Sequence, residues 1–223
     1  MRRTTPAAIL LATTICTSQA AIVWTGATSS DPFDDSNWDF SGSGVTAVEA
    51  NVSIADNITI TNGNIEIPNL GGQVRLQIGN GFTMTLDNSI LGLVAGGNDG
   101  VGGEPMGTGV TVNVTNGSQL NPFFVVNAVT VNVDSSSSAS FGGGGTPINV
   151  STVNLAPGSS LTLASLAEFT EQGAKIFVNG VSFASDSSIL NFSGNTGTAI
   201  PEPSGLAMLG LAGLAVAFRR RRR

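Results

Sequence analysis

One ten-residue pattern recurs in this chain, and it restricts the fold more than any other feature. Thr111-Val-Asn-Val-Thr-Asn-Gly-Ser-Gln-Leu120 aligns with Thr130-Val-Asn-Val-Asp-Ser-Ser-Ser-Ser-Ala139 and with Thr152-Val-Asn-Leu-Ala-Pro-Gly-Ser-Ser-Leu161. Each copy opens on alternating polar and apolar residues, the period of a strand with one buried face, and closes on a small polar turn. The middle valines Val112, Val131 and Val153 stand 19 and 22 residues apart, about the length of one coil in a stacked repeat. Weaker copies begin at Thr83 (TMTLDNS) and near Ile58 (ITITNGN). These spacings predict an all-β domain built as a parallel β-helix or solenoid. An antiparallel β-sandwich or jelly roll is the alternative, since it also needs short strands and frequent turns. The constant phase of the strand and the similar turn after each copy favour the solenoid. Asn113, Asn132 and Asn154 fall at equivalent positions. Pointing inward at a turn they would stack as a hydrogen-bonded ladder; pointing outward they would be solvated.

The two ends of the chain differ from this body. Met1-Arg2-Arg3 is a basic start, Ala7 to Cys16 is mostly apolar, and Ser18-Gln19-Ala20 supplies small residues at the positions a signal peptidase reads. Residues 1–20 therefore read as a secretory signal peptide handled by the Sec translocon and signal peptidase. The residues after Arg2-Arg3 do not continue a twin-arginine pattern, and those before Cys16 do not make a lipoprotein site. At the other end, Pro201-Glu202-Pro203 precedes an uncharged stretch, residues 204–218, and then Arg219, Arg220, Arg221, Arg222 and Arg223. Two prolines break the backbone before the apolar stretch. Fifteen helical residues span roughly 22 Å, short of a hydrocarbon core of about 30 Å. The arginines act as a cytoplasmic stop, so this short transmembrane helix would run from outside to inside.

That order of motif, apolar segment and basic terminus resembles the PEP-CTERM sorting signal of bacterial exported proteins. The resemblance covers about residues 199–223 and implies recognition and processing by a membrane-embedded exosortase. It also implies a host that often makes exopolysaccharide. The chain then divides into a signal peptide (1–20), a β-repeat extracytoplasmic domain (21–195) and a sorting signal (196–223).

Composition bounds the chemistry of the middle part. Residues 21–200 hold fourteen carboxylates against two cations, Arg75 and Lys175, a formal charge of −12. Such a field repels nucleic acid. The chain has no histidine and no tyrosine, and its one cysteine, Cys16, lies in the signal peptide. Serine–histidine triads, histidine bases, thiolate nucleophiles and histidine or cysteine metal ligands are therefore excluded from the exported part. A glycosidase needs only two suitably separated carboxylates, and no motif singles out a pair. Glu168 and Glu171, three apart, would share a helix face as a solvated edge.

One acidic cluster has the look of a site. Asp35-Ser-Asn37-Trp-Asp39 places oxygen ligands at alternate positions, like the opening of a calcium loop. The glycine at the sixth position and glutamate at the twelfth are replaced by Phe40 and Thr46, which excludes an EF-hand. Asp31, Asp35, Asn37 and Asp39 remain candidates for a looser calcium site, against the plainer reading of a solvated acidic turn. Trp24 and Trp38 flank the turn and would either stack on sugar or, the favoured reading, cap the solenoid. The segment from Ala95 to Gly109 holds seven glycines. With no P-loop lysine, it reads as a flexible loop protruding from the body.

The expected function is an exported surface or extracellular-matrix protein, structural or adhesive and not an enzyme. It would be anchored transiently at the membrane and then lie at the cell surface or outside it. Exosortase is the partner the resemblance implies, and exopolysaccharide is a second candidate. The alternative is a glycan-binding or carboxylate-dependent carbohydrate-active protein on the same scaffold. No cofactor is expected beyond the candidate calcium.

Overall fold

The computed structural model describes residues 21–94, 99–105, 107–143 and 145–201. Residues 1–20, read above as a signal peptide, and Glu202, Pro203, the apolar segment 204–218 and Arg219 to Arg223 lie outside the described residues.

The body is a β-solenoid of about five turns whose coils each cross up to three sheets. One coil runs through Asn57–Thr61, Asn64–Ile67 and Arg75–Ile78, and the next through Thr83–Asp87, Ile90–Leu93 and Gly100–Gly103. The following two use Val110–Thr115, Gln119–Leu120 and Phe124–Val126, then Val129–Val133, Ser138–Phe141 and Ile148–Asn149. Strands of successive coils pair in parallel, which decides between the solenoid and an antiparallel sandwich.

The register is the one that the repeats predict. In the first sheet Val112 pairs with Val131, and Val131 with Val153. The column continues through Met84, Ile58 and Ile22 on one side and Ile176 on the other. All seven side chains are at most 1 % exposed. A second column, two residues on, holds Ile60, Leu86, Val114, Val133, Leu155 and Val178. Each fully buried aliphatic side chain contributes about 1.5–3 kcal/mol, and only stacked coils bury them, so no coil is stable alone.

The turn after each first-sheet strand explains the polar half of the repeat. Asn62, Asn88 and Asn116 take φ of +54°, +48° and +56° there, a left-handed conformation that asparagine tolerates better than other side-chain-bearing residues. A serine at the corner is buried in three coils: Ser89 after Asn88, Ser118 after Asn116-Gly117 and Ser159 after Gly158 are at most 2 % exposed. Ser89 Oγ donates to the carbonyl of Ile60 and accepts from Gly63 N–H, and Ser118 Oγ accepts from Ser89 N–H. These hydroxyls pair backbone groups that the corner would otherwise strand.

Both ends of the stack are covered by antiparallel elements, which blunt open sheet edges. Trp38–Asp39 pairs antiparallel with Ala21–Trp24 at the start. At the finish a short helix, Leu166–Gln172, crosses the core, and Phe169 meets Phe183 and Phe192 edge-on at 6.1 and 4.9 Å between ring centres. The hairpin Leu190–Ser193 and Thr196–Ala199 closes the second sheet against Ser160–Leu163. The folded unit thus includes residues 196–199, and among the described residues its last backbone bond runs from Ile200 N–H to the Ile189 carbonyl. The sheet reaches past residue 195, through Ala199.

The glycine-rich segment is not simply a protruding loop. Gly100–Gly103 is a strand inside the third sheet, between Arg75–Ile78 and Phe124–Val126. Val101 is fully buried, while a side chain at Gly100 would meet the Phe124 ring at 2.3 Å. Phe124 lies across the glycine, so the strand has lost the polar outer residues that would have marked its alternation.

Candidate functional site

The acidic turn is a self-contained hydrogen-bonded knot. Asn37 is fully buried. Its Oδ1 accepts from the N–H groups of Thr28 and Ser29 at 2.9 and 3.0 Å, and its Nδ2 donates to Ser29 Oγ and the Asp31 carbonyl. Asp31 Oδ1 accepts from Phe33 N–H, Asp35 Oδ1 from Val48 N–H, and Asp39 Oδ1 from Ser41 N–H, each at 2.8 Å. Asp34, which caps the 3-10 turn Asp35–Asn37, accepts from Ser36 and Thr28. The four calcium candidates thus each serve backbone groups at different places. Among the described residues no three His, Cys, Asp or Glu side chains gather as a metal ion would need.

These bonds have an electrostatic signature. The Ser36 hydroxyl, with further help from Thr28 and the Ser36 N–H, holds the Asp34 carboxyl below the ordinary aspartate value of 3.8. The Ser41 N–H lowers Asp39, and the Ser188 hydroxyl lowers Asp186 in the same way. A carboxylate whose folded pKa is depressed stabilises the fold above its unfolded pKa, and loses that contribution as pH falls through the folded value. Carbon-13 titration of these three carboxyls should give midpoints below 3.8. Midpoints at or above that value would mean that the turns are open in solution.

The tryptophans behave as a cap. Trp24 and Trp38 face each other in register, edge to face, with ring centres 5.0 Å apart, and each is 6 % exposed. Trp38 Nε1 donates to the Pro32 carbonyl at 2.8 Å. Both rings are buried, and neither presents a face to sugar.

Glu168 and Glu171 do not act as a pair. Glu168 is buried rather than solvated, and its Oε2 accepts from Ala164 N–H at 3.1 Å at the start of the helix. Glu171 is exposed. The glutamate three residues into a helix is the expected reach-back partner for free N–H groups there, so this role was readable from spacing once the helix was known.

The repeated asparagines combine the two readings that the sequence leaves open. They alternate outward from the core valines and still form a ladder. Asn132 Nδ2 donates to Asn113 Oδ1 at 3.0 Å, and Asn154 Nδ2 to Asn132 Oδ1 at 2.9 Å. They line a shallow depression of about 490 Å³ on the first sheet, with Thr85, Asp134 and Asn179 around it. A second depression, of about 360 Å³, lies on the third sheet around Arg75. Nothing in the repeat signalled this one, because its residues come from the coil segments that vary most in length.

Pro201 is exposed and stands one residue, Ile200, beyond the closing strand Thr196–Ala199. Among the described residues no helix is long and apolar enough to cross a membrane. Residues 199–223 match the family model of the PEP-CTERM protein-sorting motif. No curated protein and no solved structure matches the chain. The motif implies an exported protein, anchored at the membrane before exosortase processes it.

Proposed function

We propose that this exosortase-sorted chain is a surface or extracellular-matrix protein with a structural or adhesive role and no catalytic centre. The observation that carries the reading is the sorting motif at residues 199–223, set directly after a closed solenoid. In this reading the Sec translocon exports the chain, signal peptidase removes residues 1–20, and the apolar segment 204–218 holds it until exosortase acts. The solenoid then lies outside the cell as a rigid rod, its outer faces carrying threonine and asparagine and its field strongly negative. Support for a non-enzymatic role is chemical. The exported part has no histidine, tyrosine or cysteine, Glu168 is committed to a helix start, and the acidic turn is committed to its own backbone.

The test is turnover. Residues 21–200 contain every described core strand and both caps, so this fragment is the one to purify. Incubated with a panel of neutral and acidic polysaccharides, with and without calcium, it should release no new reducing ends or unsaturated products. Cleavage that disappears on changing a single Asp or Glu, with the melting temperature unchanged, would establish the carboxylate-dependent hydrolase instead.

A further inference from the structure

We infer that the depression on the third sheet is a binding site for a carboxylate-bearing sugar of an acidic polysaccharide, with Arg75 as its carboxylate receptor. The first observation is electrostatic. Residues 21–200 hold two cations among fourteen carboxylates. Lys175 is already used, its Nζ donating to the Ile148 carbonyl at 2.7 Å and to Gln172 Oε1 at 2.8 Å. Arg75 is half-buried and makes no ion pair among the described residues; its Nε donates to a neutral partner, Asn51 Oδ1, at 3.3 Å. No carboxylate lies within ion-pair distance of Arg75 among the described residues and none lines the depression, so on a domain whose net charge otherwise repels anions its planar fork is a local seat for one. That fork matches a carboxylate in two parallel hydrogen bonds.

The second observation is the shape around it. Arg75 and Gly100 are register partners, as are Gly100 and Phe124, and Gly102 stands beside Val126. A side chain at Gly102 would meet the Arg75 Cδ at 3.0 Å and Val126 Cγ2 at 3.2 Å. With no side chains on the central strand, Arg75 and Phe124 lie across Gly100 and Gly102 and themselves form the floor of the depression. The resulting depression of about 360 Å³ falls within the range of small-ligand sites.

The third observation is what lines it. Gln73, Asn127, Thr146 and Asn149 supply amides and a hydroxyl, and Phe123 supplies an apolar plate. A ring with hydroxyls around its edge, an apolar C–H face and one carboxylate uses each of these groups. A neutral sugar leaves the arginine unanswered, and a simple anion leaves the amides and the ring unused. The backbone is also held unusually here: Asn127 and Ala128 both have positive φ, as does Val150 beside Asn149. Left-handed valine and alanine are costly and persist where the surroundings impose them.

Binding does not depend on the surface role proposed above, and it is measured on purified protein. Calorimetry of residues 21–200 with oligogalacturonate or oligoglucuronate should show saturable binding. The same oligomers with the carboxyls reduced to alcohols should show none. Arg75→Ala should abolish binding, and Arg75→Lys should weaken it at least about tenfold, because a point charge replaces the fork. On titrating the unaltered protein, the side-chain amide signals of Gln73, Asn127 and Asn149 should shift while that of Asn191 stays still. This readout needs no variant to fold. Equal binding of the reduced oligomer, unchanged binding by a folded Arg75→Ala protein, or amide shifts elsewhere would overturn the assignment. Acetate or a peptide carboxylate binding as tightly as the oligouronate would overturn its sugar component.

Discussion

Val131→Asp will leave the exported domain without a cooperative unfolding transition. Val131 is fully buried in the fourth of the stacked coils, paired on both sides with Val112 and Val153. Removing the valine forfeits about 1.5–3 kcal/mol of burial. A carboxylate in its place has no partner, since the outward Asn132 and Thr130 lie across the sheet from it, and it must either be desolvated or take up a proton. Either route costs several kcal/mol more. Against a typical domain stability of about 5–15 kcal/mol, the sum removes most or all of the margin. The damage spreads because each coil is stable only against its neighbours.

Thr130→Ala, in the same strand but facing outward, should change stability by less than about 1 kcal/mol. Its hydroxyl has only a long 3.4 Å contact with Thr152 Oγ1. Ser136, though exposed, is a poorer control: its Oγ accepts from Gly117 N–H at 2.9 Å and donates to Asp134, so it ties one coil to the next. Circular dichroism melts of the two variants decide the matter. A Val131→Asp protein that melts cooperatively near the wild-type temperature would mean that the valine columns are not the core.

What made the first sheet legible was its chemistry: threonine and asparagine outside, valine inside, and a turn of fixed composition. A side chain that alternates in and out leaves a period of two in the sequence, and stacking of like on like repeats it from coil to coil. The third sheet broke that code. Gly100 and Gly102 show no alternation because Phe124 and Arg75, from neighbouring strands, occupy the space above them. Coil length also varies there, with Met84 26 residues after Ile58 and Val112 28 after Met84. The extra residues sit in corners that need not repeat. Which serine of a turn is buried was hidden in composition alone: Ser118, Ser137 and Ser159 share one repeat position and are buried, while Ser136, one position earlier, is exposed. The difference depends on which carbonyl each faces in three dimensions. The acidic turn matched a metal loop by spacing because alternate oxygens serve either a cation or a run of N–H groups, and the sequence does not say which. Here Phe33, Ser41 and Val48 supply the N–H groups.

Replacing Pro201, Glu202 and Pro203 together by alanine is expected to stop release of the protein while leaving its solenoid intact. The two effects are separable because of where the domain ends. Among the described residues Ile200 makes the last backbone bond to the body, and Pro201 is exposed immediately beyond it. The change alters no residue of the core columns within 21–200, and the melting temperature of that unit should not move. Sorting should move completely, since the motif is what exosortase reads in proteins with this signal. Without processing, the apolar segment 204–218 and the five arginines remain on the chain. As a helix that segment would measure roughly 22 Å, a weak anchor in a core of about 30 Å. Five arginines, if they lie on the cytoplasmic side as the positive-inside rule expects, would nevertheless oppose both extraction and slippage through the membrane. The precursor should therefore accumulate in the inner-membrane fraction, with the released form reduced below detection. Intact-mass analysis of both fractions gives the answer. Wild-type extracellular protein should lack Arg219 to Arg223, and the alanine variant at the membrane should retain them. If released wild-type protein still carries those arginines, or the variant is released like wild type, the tail is a plain anchor and its processing by exosortase does not occur.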